Sequence, residues 1–283
     1  HESTTSKRFY PSWSNTNKPL VSNLSTNEPY HWSTSGDDGV LLGKEYAIKI
    51  TSFDSTIITC DTLIRRMNLP SVEPILVTPN NIVLWSEVQK ALNDVNWLNN
   101  QGKKIEAVTE ALVMKRMKGT ELHKVTLNAP LPKTKLHQIF HDIGKMVVID
   151  LYVRNYDRFP LSTFREVLLH SEYDDVGDER WIPWDENPEN ILIDITSGRA
   201  IPIDSASYFK GIDTTAYRLI ASKLLSEHLP TITESILTSC HYARLFCSTP
   251  TDNRENILIQ AKESDVYAQL LAGIKEGISD LDI

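Results

Sequence analysis

The sequence contains few cysteines and lacks a long apolar run. Its 283 residues include only three cysteines, with no Cys-x-x-Cys pair and no His/Cys cluster of zinc spacing. We therefore expect reduced, packed thiols. No apolar run approaches the roughly 18 residues that a membrane helix needs, and residues 1–18 are polar, unlike a signal peptide. We expect a cytoplasmic protein with no membrane partner.

An excess of basic residues is also missing. The chain has 29 Lys and Arg against 37 Asp and Glu, which gives a formal net charge of -8 at pH 7. General binding of DNA, RNA or anionic lipid needs a positive surface, so we expect no nucleic-acid partner. A local basic cleft for one nucleotide is compatible with this charge. Hydrophobic residues make up 41% of the chain, which is ordinary for a protein with a packed core.

The first part of the chain is predicted to be rich in strands. Residues 1–28 are rich in Ser, Thr and Asn without a sustained period, which predicts an extended arm. Residues 29–117 follow as a strand-rich N-terminal lobe. Its predicted strands span 30–35, 40–50, 72–77 and 112–117, and its predicted helices span 55–68 and 84–98.

Residues 118–283 are predicted to form a mainly helical C-terminal lobe. An apolar stripe predicts a long core helix over residues 133–155. A hairpin is expected over residues 191–203. Three helical stretches are predicted beyond it, over residues 214–229, 231–247 and 254–278. The sequence therefore predicts an α+β fold of two lobes that join near Met117.

A predicted strand in the first lobe ends in a lysine. The run Tyr46-Ala47-Ile48-Lys49 follows a turn bounded by Gly36 and Gly39. It resembles the Val-Ala-Ile-Lys strand of protein kinases, whose lysine holds the α/β-phosphates of ATP. The resemblance implies that Lys49 is catalytic and binds ATP, and that Gly36, Gly39 and Ala47 line the ATP site. The alternative for this motif alone is a solvated lysine at a strand end.

The last strand of this lobe ends in a Lys-Gly pair. Residues 112–122 resemble the hinge of protein kinases, in which an apolar strand leaves the small lobe. The resemblance implies that Met114 is the gatekeeper and that backbone groups of Lys115 and Met117 meet adenine. Glu121 falls where kinases often keep a ribose or substrate contact. The alternative is a plain edge strand.

An aspartate directly follows the predicted core helix. It lies in the run Asn155-Tyr156-Asp157-Arg158. Protein kinases place an Asp in the loop after such a helix, where it accepts or orients the proton of the attacking hydroxyl. Here the order is Asp-Arg rather than His-Arg-Asp, as in lipid kinases and other atypical members. A lone Asp at a helix end is more often a helix cap or a surface charge.

Two short apolar runs around a Ser-Gly turn predict the hairpin over residues 191–203. Asn190 begins its first strand and Asp204 follows its second, so both side chains reach one edge. Amide and carboxylate oxygens suit Mg²⁺. The arrangement resembles the kinase pairing of a catalytic-loop Asn with the Asp of Asp-Phe-Gly, although Ser205-Ala206 replaces Phe-Gly. It implies that Leu192 forms the floor under adenine.

Taken in order, these segments resemble the actin-fragmin kinase family. The resemblance covers about residues 32–207 and includes Asn-x-Asp-Arg-x-Pro-Leu at 155–161 and Ile-Asp-Ser at 203–205. Three departures from ordinary protein kinases point to this branch: a phosphate loop with few glycines, wide spacing of Asp157 and Asn190, and no Ala-Pro-Glu signature. The resemblance implies a protein-kinase-like fold that uses ATP and Mg²⁺. Its implied partner is actin, in particular actin bound to fragmin, phosphorylated on Ser or Thr.

Some assignments stay open on the sequence. Asp61, in the helix over 55–68, is the mid-helix carboxylate expected to pair with Lys49, and Glu73 is a second candidate. A small-molecule or lipid kinase is one alternative function, although Lys210 is the one basic residue over 205–215, which argues mildly against a phosphoinositide substrate. A pseudokinase that binds nucleotide is another, although the retained catalytic set argues against it. A helix over 162–171 and an acidic stretch after it are expected between Asp157 and Asn190.

Overall fold

The computed structural model describes residues 28–33, 39–50, 56–127, 129–161, 186–209, 214–247 and 253–282. The predicted arm before residue 28, Gly36, the predicted helix over 162–171 and the acidic stretch after it lie outside these residues. The described residues form an α+β fold of antiparallel strands and several helices. Among them, no helix has both the length and the apolar character needed to cross a membrane.

Five antiparallel strands form the first sheet, in the order β1-β2-β3-β5-β4. They are β1 (His31–Trp32), β2 (Val40–Leu42), β3 (Tyr46–Lys49), β4 (Ile75–Val77) and β5 (Ala111–Lys115). The single strand predicted over 40–50 is wrong, because the chain turns at Gly43 and β2 pairs with β3. The N–H of Gly43 donates to the carbonyl of Tyr46 at 2.9 Å. A side chain at Gly43 would also meet the ring of Tyr30.

Two helices accompany this sheet, α1 (Thr56–Arg66) and α2 (Ile82–Asp94). Asn81 caps α2, since its side chain accepts a hydrogen bond from the N–H of Leu84 at 3.3 Å. Apolar residues of α2 and of the sheet then share one core, which includes Leu41, Ile48, Val88, Leu92 and Val113. This core fixes β3, and with it Lys49 at its end.

A second sheet has the order β6-β7-β8 and consists of β6 (Thr120–Glu121), β7 (Ile191–Asp194) and β8 (Arg199–Pro202). The predicted hairpin is confirmed, with Ile191 opposite Pro202. Asn190 immediately precedes β7, and its carbonyl accepts a hydrogen bond from the N–H of Ile203 at 3.1 Å. Asn190 and Asp204 therefore lie at the same edge, as the sequence predicts.

The remaining described elements are helical. They are α3 (Lys133–Val153), α4 (Thr214–Glu227), α5 (Leu229–Leu237), α6 (Cys240–Ala243), α7 (Arg254–Glu263) and α8 (Val266–Leu281), together with two 3₁₀ helices, Leu122–Lys124 and Pro188–Asn190. The stretches predicted over 231–247 and 254–278 each contain two helices. The first breaks where Ser239 caps α6, and the second where Asp265 adopts a left-handed φ of 63°. Asp157 follows the C-terminal end of α3, which is buried along most of its length.

Glycines allow α3 and α8 to pack in close contact. A Cβ built on Gly273 would lie 2.1 Å from the carbonyl oxygen of His141, whereas one on Gly277 would lie 3.0 Å from a methyl of Val148. Backbone cannot retreat as a side chain can. Gly273→Ala should therefore lower the free energy of unfolding by about 3 kcal/mol through overpacking.

The matched control is Gly277→Ala on the same helix. It should change stability by no more than about 1 kcal/mol, because the gain in helix propensity offsets the contact with Val148. Urea denaturation of both variants measures the difference. Equal losses would contradict the close approach of the two backbones.

Candidate functional site

A cleft of about 590 Å³ lies between the two sheets. Strands β2, β3 and β5 supply one side, and β6, β7 and the segments carrying Asp157 and Asp204 supply the other. Most of the predicted site residues line it: Ala47, Lys49, Met114, Lys115, Met117, Glu121, Asp157, Asn190, Leu192 and Asp204. Gly39 and Asp61 are described but do not line this cleft. Segments far apart in the sequence therefore converge on one space.

One part of the cleft is an apolar slot. Val40, Leu42 and Ala47 face it from the first sheet. Leu192 of β7 and Ile203, which follows β8, face it from the other side of the cleft. Apolar side chains on two opposite sides suit a flat ring system, because both faces of the ring lose contact with water. The slot therefore has the chemistry of a site for a planar heterocycle.

Backbone hydrogen bonds join the predicted hinge to the segments that precede β3 and β4. The N–H of Lys115 donates to the carbonyl of Val72 at 2.8 Å, and the N–H of Arg116 donates to the carbonyl of Glu45 at 2.8 Å. The N–H of Lys115 is therefore occupied and cannot be the donor to a ligand. Among the described residues, no hydrogen bond engages the backbone N–H of Met117, which leaves this group for a ligand in the slot.

An ion pair joins the two sides of the cleft. The ammonium of Lys49, at the end of β3, lies 3.0 Å and 3.3 Å from the two carboxylate oxygens of Asp204. Lys49 is buried and Asp204 is partly exposed to the cleft. The pair joins residues 155 positions apart. It thus places one cation and one carboxylate together where a phosphate and its metal could bind.

The predicted pairing of Lys49 with Asp61 is wrong. Asp61 is buried in α1, where its carboxylate accepts a hydrogen bond from Ser71 at 2.5 Å and pairs with Arg65 at 2.9 Å. Burial raises the pKa of Asp61, and the contacts with Ser71 and Arg65 oppose the shift. The second candidate, Glu73, pairs with Lys115 at 3.8 Å. Asp61 therefore fastens α1 to the chain that leads into β4.

Two side-chain amides hold Asp157. The amide nitrogen of Asn187 lies 3.3 Å from both of its carboxylate oxygens. The amide nitrogen of Asn190 donates to the carbonyl of Asp157 at 2.9 Å and to its carboxylate at 3.2 Å. Burial raises the pKa of Asp157, and the two amides oppose the shift. Asp157 is thus an oriented carboxylate that faces the cleft, which is the geometry of a proton acceptor.

Asn190 and Asp204 form the candidate metal position. Because the nitrogen of Asn190 is used by Asp157, its amide oxygen is the atom left to bind a cation. With the Asp204 carboxylate it supplies two oxygen ligands, the number and kind that protein commonly gives to Mg²⁺. Within the described residues, no cluster of three or more His, Cys, Asp or Glu could hold a metal. The donor set therefore fits magnesium and does not fit zinc.

Sequence reasoning missed several polar residues of the cleft. Asn187 lies only three positions before Asn190, and this short spacing is the signal that could have identified it. Glu189 and Lys124 also line the cleft. Lys124 pairs with Glu121 at 2.6 Å, which reduces the freedom of Glu121 to contact a ligand.

No family model matches the chain, and no curated protein matches it. We therefore infer the function from the residues that converge in the cleft.

Proposed function

We propose that this chain is an ATP-dependent phosphotransferase with a two-lobed, protein-kinase-like fold. The observation that carries the proposal is the convergence of Lys49, Asp157, Asn190 and Asp204 on one cleft beside an apolar slot. These are the parts that phosphoryl transfer from ATP needs: a cation, oxygen ligands for a metal and a carboxylate for the acceptor. In this proposal, residues 29–117 form the small lobe and residues 118–283 the large one.

Different groups of the chain bind different parts of Mg·ATP. The slot between Ala47 and Leu192 binds adenine, with the backbone N–H of Met117, which has no hydrogen-bond partner among the described residues, at its edge. Lys49 neutralises the α/β-phosphates. Asn190 and Asp204 hold magnesium, which when bound supplies positive charge that shields the phosphates and favours transfer.

Asp157 acts on the acceptor. The acceptor oxygen forms a bond to the γ-phosphorus, the bond to the β–γ bridging oxygen breaks, and ADP leaves. Asp157 orients the acceptor hydroxyl and accepts its proton as the new bond forms. The amides of Asn187 and Asn190 keep its carboxylate directed at that position. The raised pKa of Asp157 makes it a better proton acceptor than a solvated aspartate.

Within this class, we assign the chain to the serine/threonine protein kinases of actin-fragmin kinase type. The support is the resemblance of residues 32–207, and the implied acceptor is actin, in particular actin in complex with fragmin. An actin substrate also implies a cytoplasmic location. A kinase of small molecules or lipids is the second candidate, because its chemistry would use the same cleft.

Transfer of radiolabelled γ-phosphate separates these possibilities. Equal amounts of protein are incubated with Mg·ATP and actin, actin–fragmin, a phosphoinositide panel or a pool of small alcohols. Label on actin–fragmin supports the proposal. Label on a lipid or a small molecule would instead identify that molecule as the acceptor. Nucleotide binding with no labelled acceptor would favour a pseudokinase.

Asp61 should be dispensable for the chemistry. Asp61→Asn keeps a hydrogen-bond acceptor for Ser71 and removes the charge, so kcat should stay within about twofold of wild type. The free energy of unfolding should fall by about 1 kcal/mol, because the Arg65 pair is lost. Steady-state kinetics and urea denaturation measure both effects. A fall in kcat of a hundredfold or more would restore Asp61 as a catalytic partner of Lys49.

A further inference from the structure

A buried guanidinium links the loop of Asp157 to the segment of Asp204. Arg158 is completely buried, and one of its terminal nitrogens lies 2.9 Å and 3.1 Å from the two carboxylate oxygens of Asp150 in α3. The other donates to the carbonyl of Ile203 at 2.9 Å and to the hydroxyl of Ser205 at 2.6 Å. One side chain thus spans three segments of the fold.

The contacts of Arg158 lie on either side of Asp204. Ile203 immediately precedes Asp204 and Ser205 immediately follows it. Asp204 itself has a φ of 51°, in the left-handed region that a residue with a side chain adopts at a cost. Such a conformation persists only where its surroundings hold it. The two contacts of Arg158 are positioned to do so.

Stability alone does not explain this arrangement. Replacing a buried ion pair by apolar residues often leaves the stability of a protein unchanged or raises it. A contribution to stability is therefore a poor explanation for the buried pair of Arg158 and Asp150. Asn155 also donates to Asp150 at 3.0 Å. Asp150 thus anchors both the residue after Asp157 and the start of the same loop. The network suits a role in holding the loop of Asp157 in a fixed position relative to the segment of Asp204.

We propose that Arg158 is a positioning residue, which keeps Asp204 in its left-handed conformation and fixes it relative to Asp157. The inference rests on the proposed function. Asp150 holds Arg158 to the end of α3, and Arg158 in turn holds the backbone on both sides of Asp204. The metal ligand and the proton acceptor therefore share one rigid support. Without it, Asp204 can relax out of the cleft and away from Asn190.

Ser205→Ala tests this directly, because it removes one contact and leaves Arg158 paired with Asp150. We expect kcat to fall at least about tenfold, as for loss of one hydrogen bond to a charged group. Affinity for Mn²⁺, measured by electron paramagnetic resonance with a nonhydrolysable ATP analogue, should fall as well. The matched control is Ser207→Ala in the same segment. The backbone N–H of Ser207 donates to Thr56, whereas no hydrogen bond engages its hydroxyl among the described residues, so this variant should behave as wild type.

Arg158→Lys is the second variant. Lysine keeps the charge beside Asp150 but cannot reach both partners around Asp204, so kcat should fall at least as far as in Ser205→Ala. Combining the two changes should add little further loss, because both remove the same link. If Arg158→Lys does not fold, Ser205→Ala alone tests the positioning role of Arg158.

Three results would overturn the inference. They are an unchanged kcat per folded molecule in Ser205→Ala, unchanged affinity for Mn²⁺, or additive losses in the double variant. If the wild-type protein phosphorylated none of the acceptors, the proposed function would be refuted instead. The Mn²⁺ measurement would then still test the role of Arg158.

Discussion

Asp157→Asn should reduce kcat by about a thousandfold while the KM for ATP stays within about twofold of wild type. General base groups contribute about 10²–10⁴ in rate, and an amide of the same shape cannot accept the proton. The substitution leaves packing unchanged, so the melting temperature should move little. Steady-state kinetics with actin–fragmin as acceptor measures the effect.

Asp194→Asn provides the matched control. Asp194 is the last residue of β7 and binds Ser197 in the turn that follows, outside the cleft. Its kcat should equal that of wild type. If Asp157→Asn kept more than about a tenth of wild-type kcat, a loss of only ~1.4 kcal/mol, its role as proton acceptor would be refuted.

Asp204→Ala should abolish transfer and remove the dependence of nucleotide binding on magnesium. Asp204 supplies the only carboxylate of the candidate metal position, and it is the ionic partner of buried Lys49. Isothermal titration with a nonhydrolysable ATP analogue, with and without Mg²⁺, measures the change. Wild type should bind more tightly with the metal, whereas Asp204→Ala should bind equally with and without it.

Comparison of the two variants separates their roles. Asp157→Asn should retain the full effect of Mg²⁺ on nucleotide binding, because its side chain meets the acceptor and not the metal. Mg²⁺-dependent binding by Asp204→Ala equal to that of wild type would contradict the metal assignment.

Local signals in the sequence were enough to predict where much of the candidate site lies in the fold. The hairpin is encoded by adjacent residues: two short apolar runs, and a turn in which Gly198 has a φ of 71°. Once it is recognised, Asn190 and Asp204 must share an edge. The apolar period of α3 similarly places Asp157 shortly after that helix, although the helix ends at Val153 and not at the predicted residue 155. In each case, short-range patterning determines where the functional side chain lies.

Contacts between distant segments were not predictable in the same way. Helical spacing put Asp61 on α1 but could not show that its partner is Ser71 in the next segment. The ion pair of Lys49 with Asp204 depends on how the two sheets pack. The same holds for the contacts of Arg158 with Ile203 and Ser205, which lie 45 and 47 positions away in the sequence. Side-chain partners across long separations follow from tertiary packing, which no local period encodes.

The most direct test of the account is the structure of the protein with Mg²⁺ and a nonhydrolysable ATP analogue. We expect adenine between Ala47 and Leu192, the phosphates at Lys49, and the metal bound by Asn190 and Asp204. The γ-phosphate should face Asp157. A nucleotide bound outside this cleft, or a metal that does not contact Asn190 and Asp204, would contradict it.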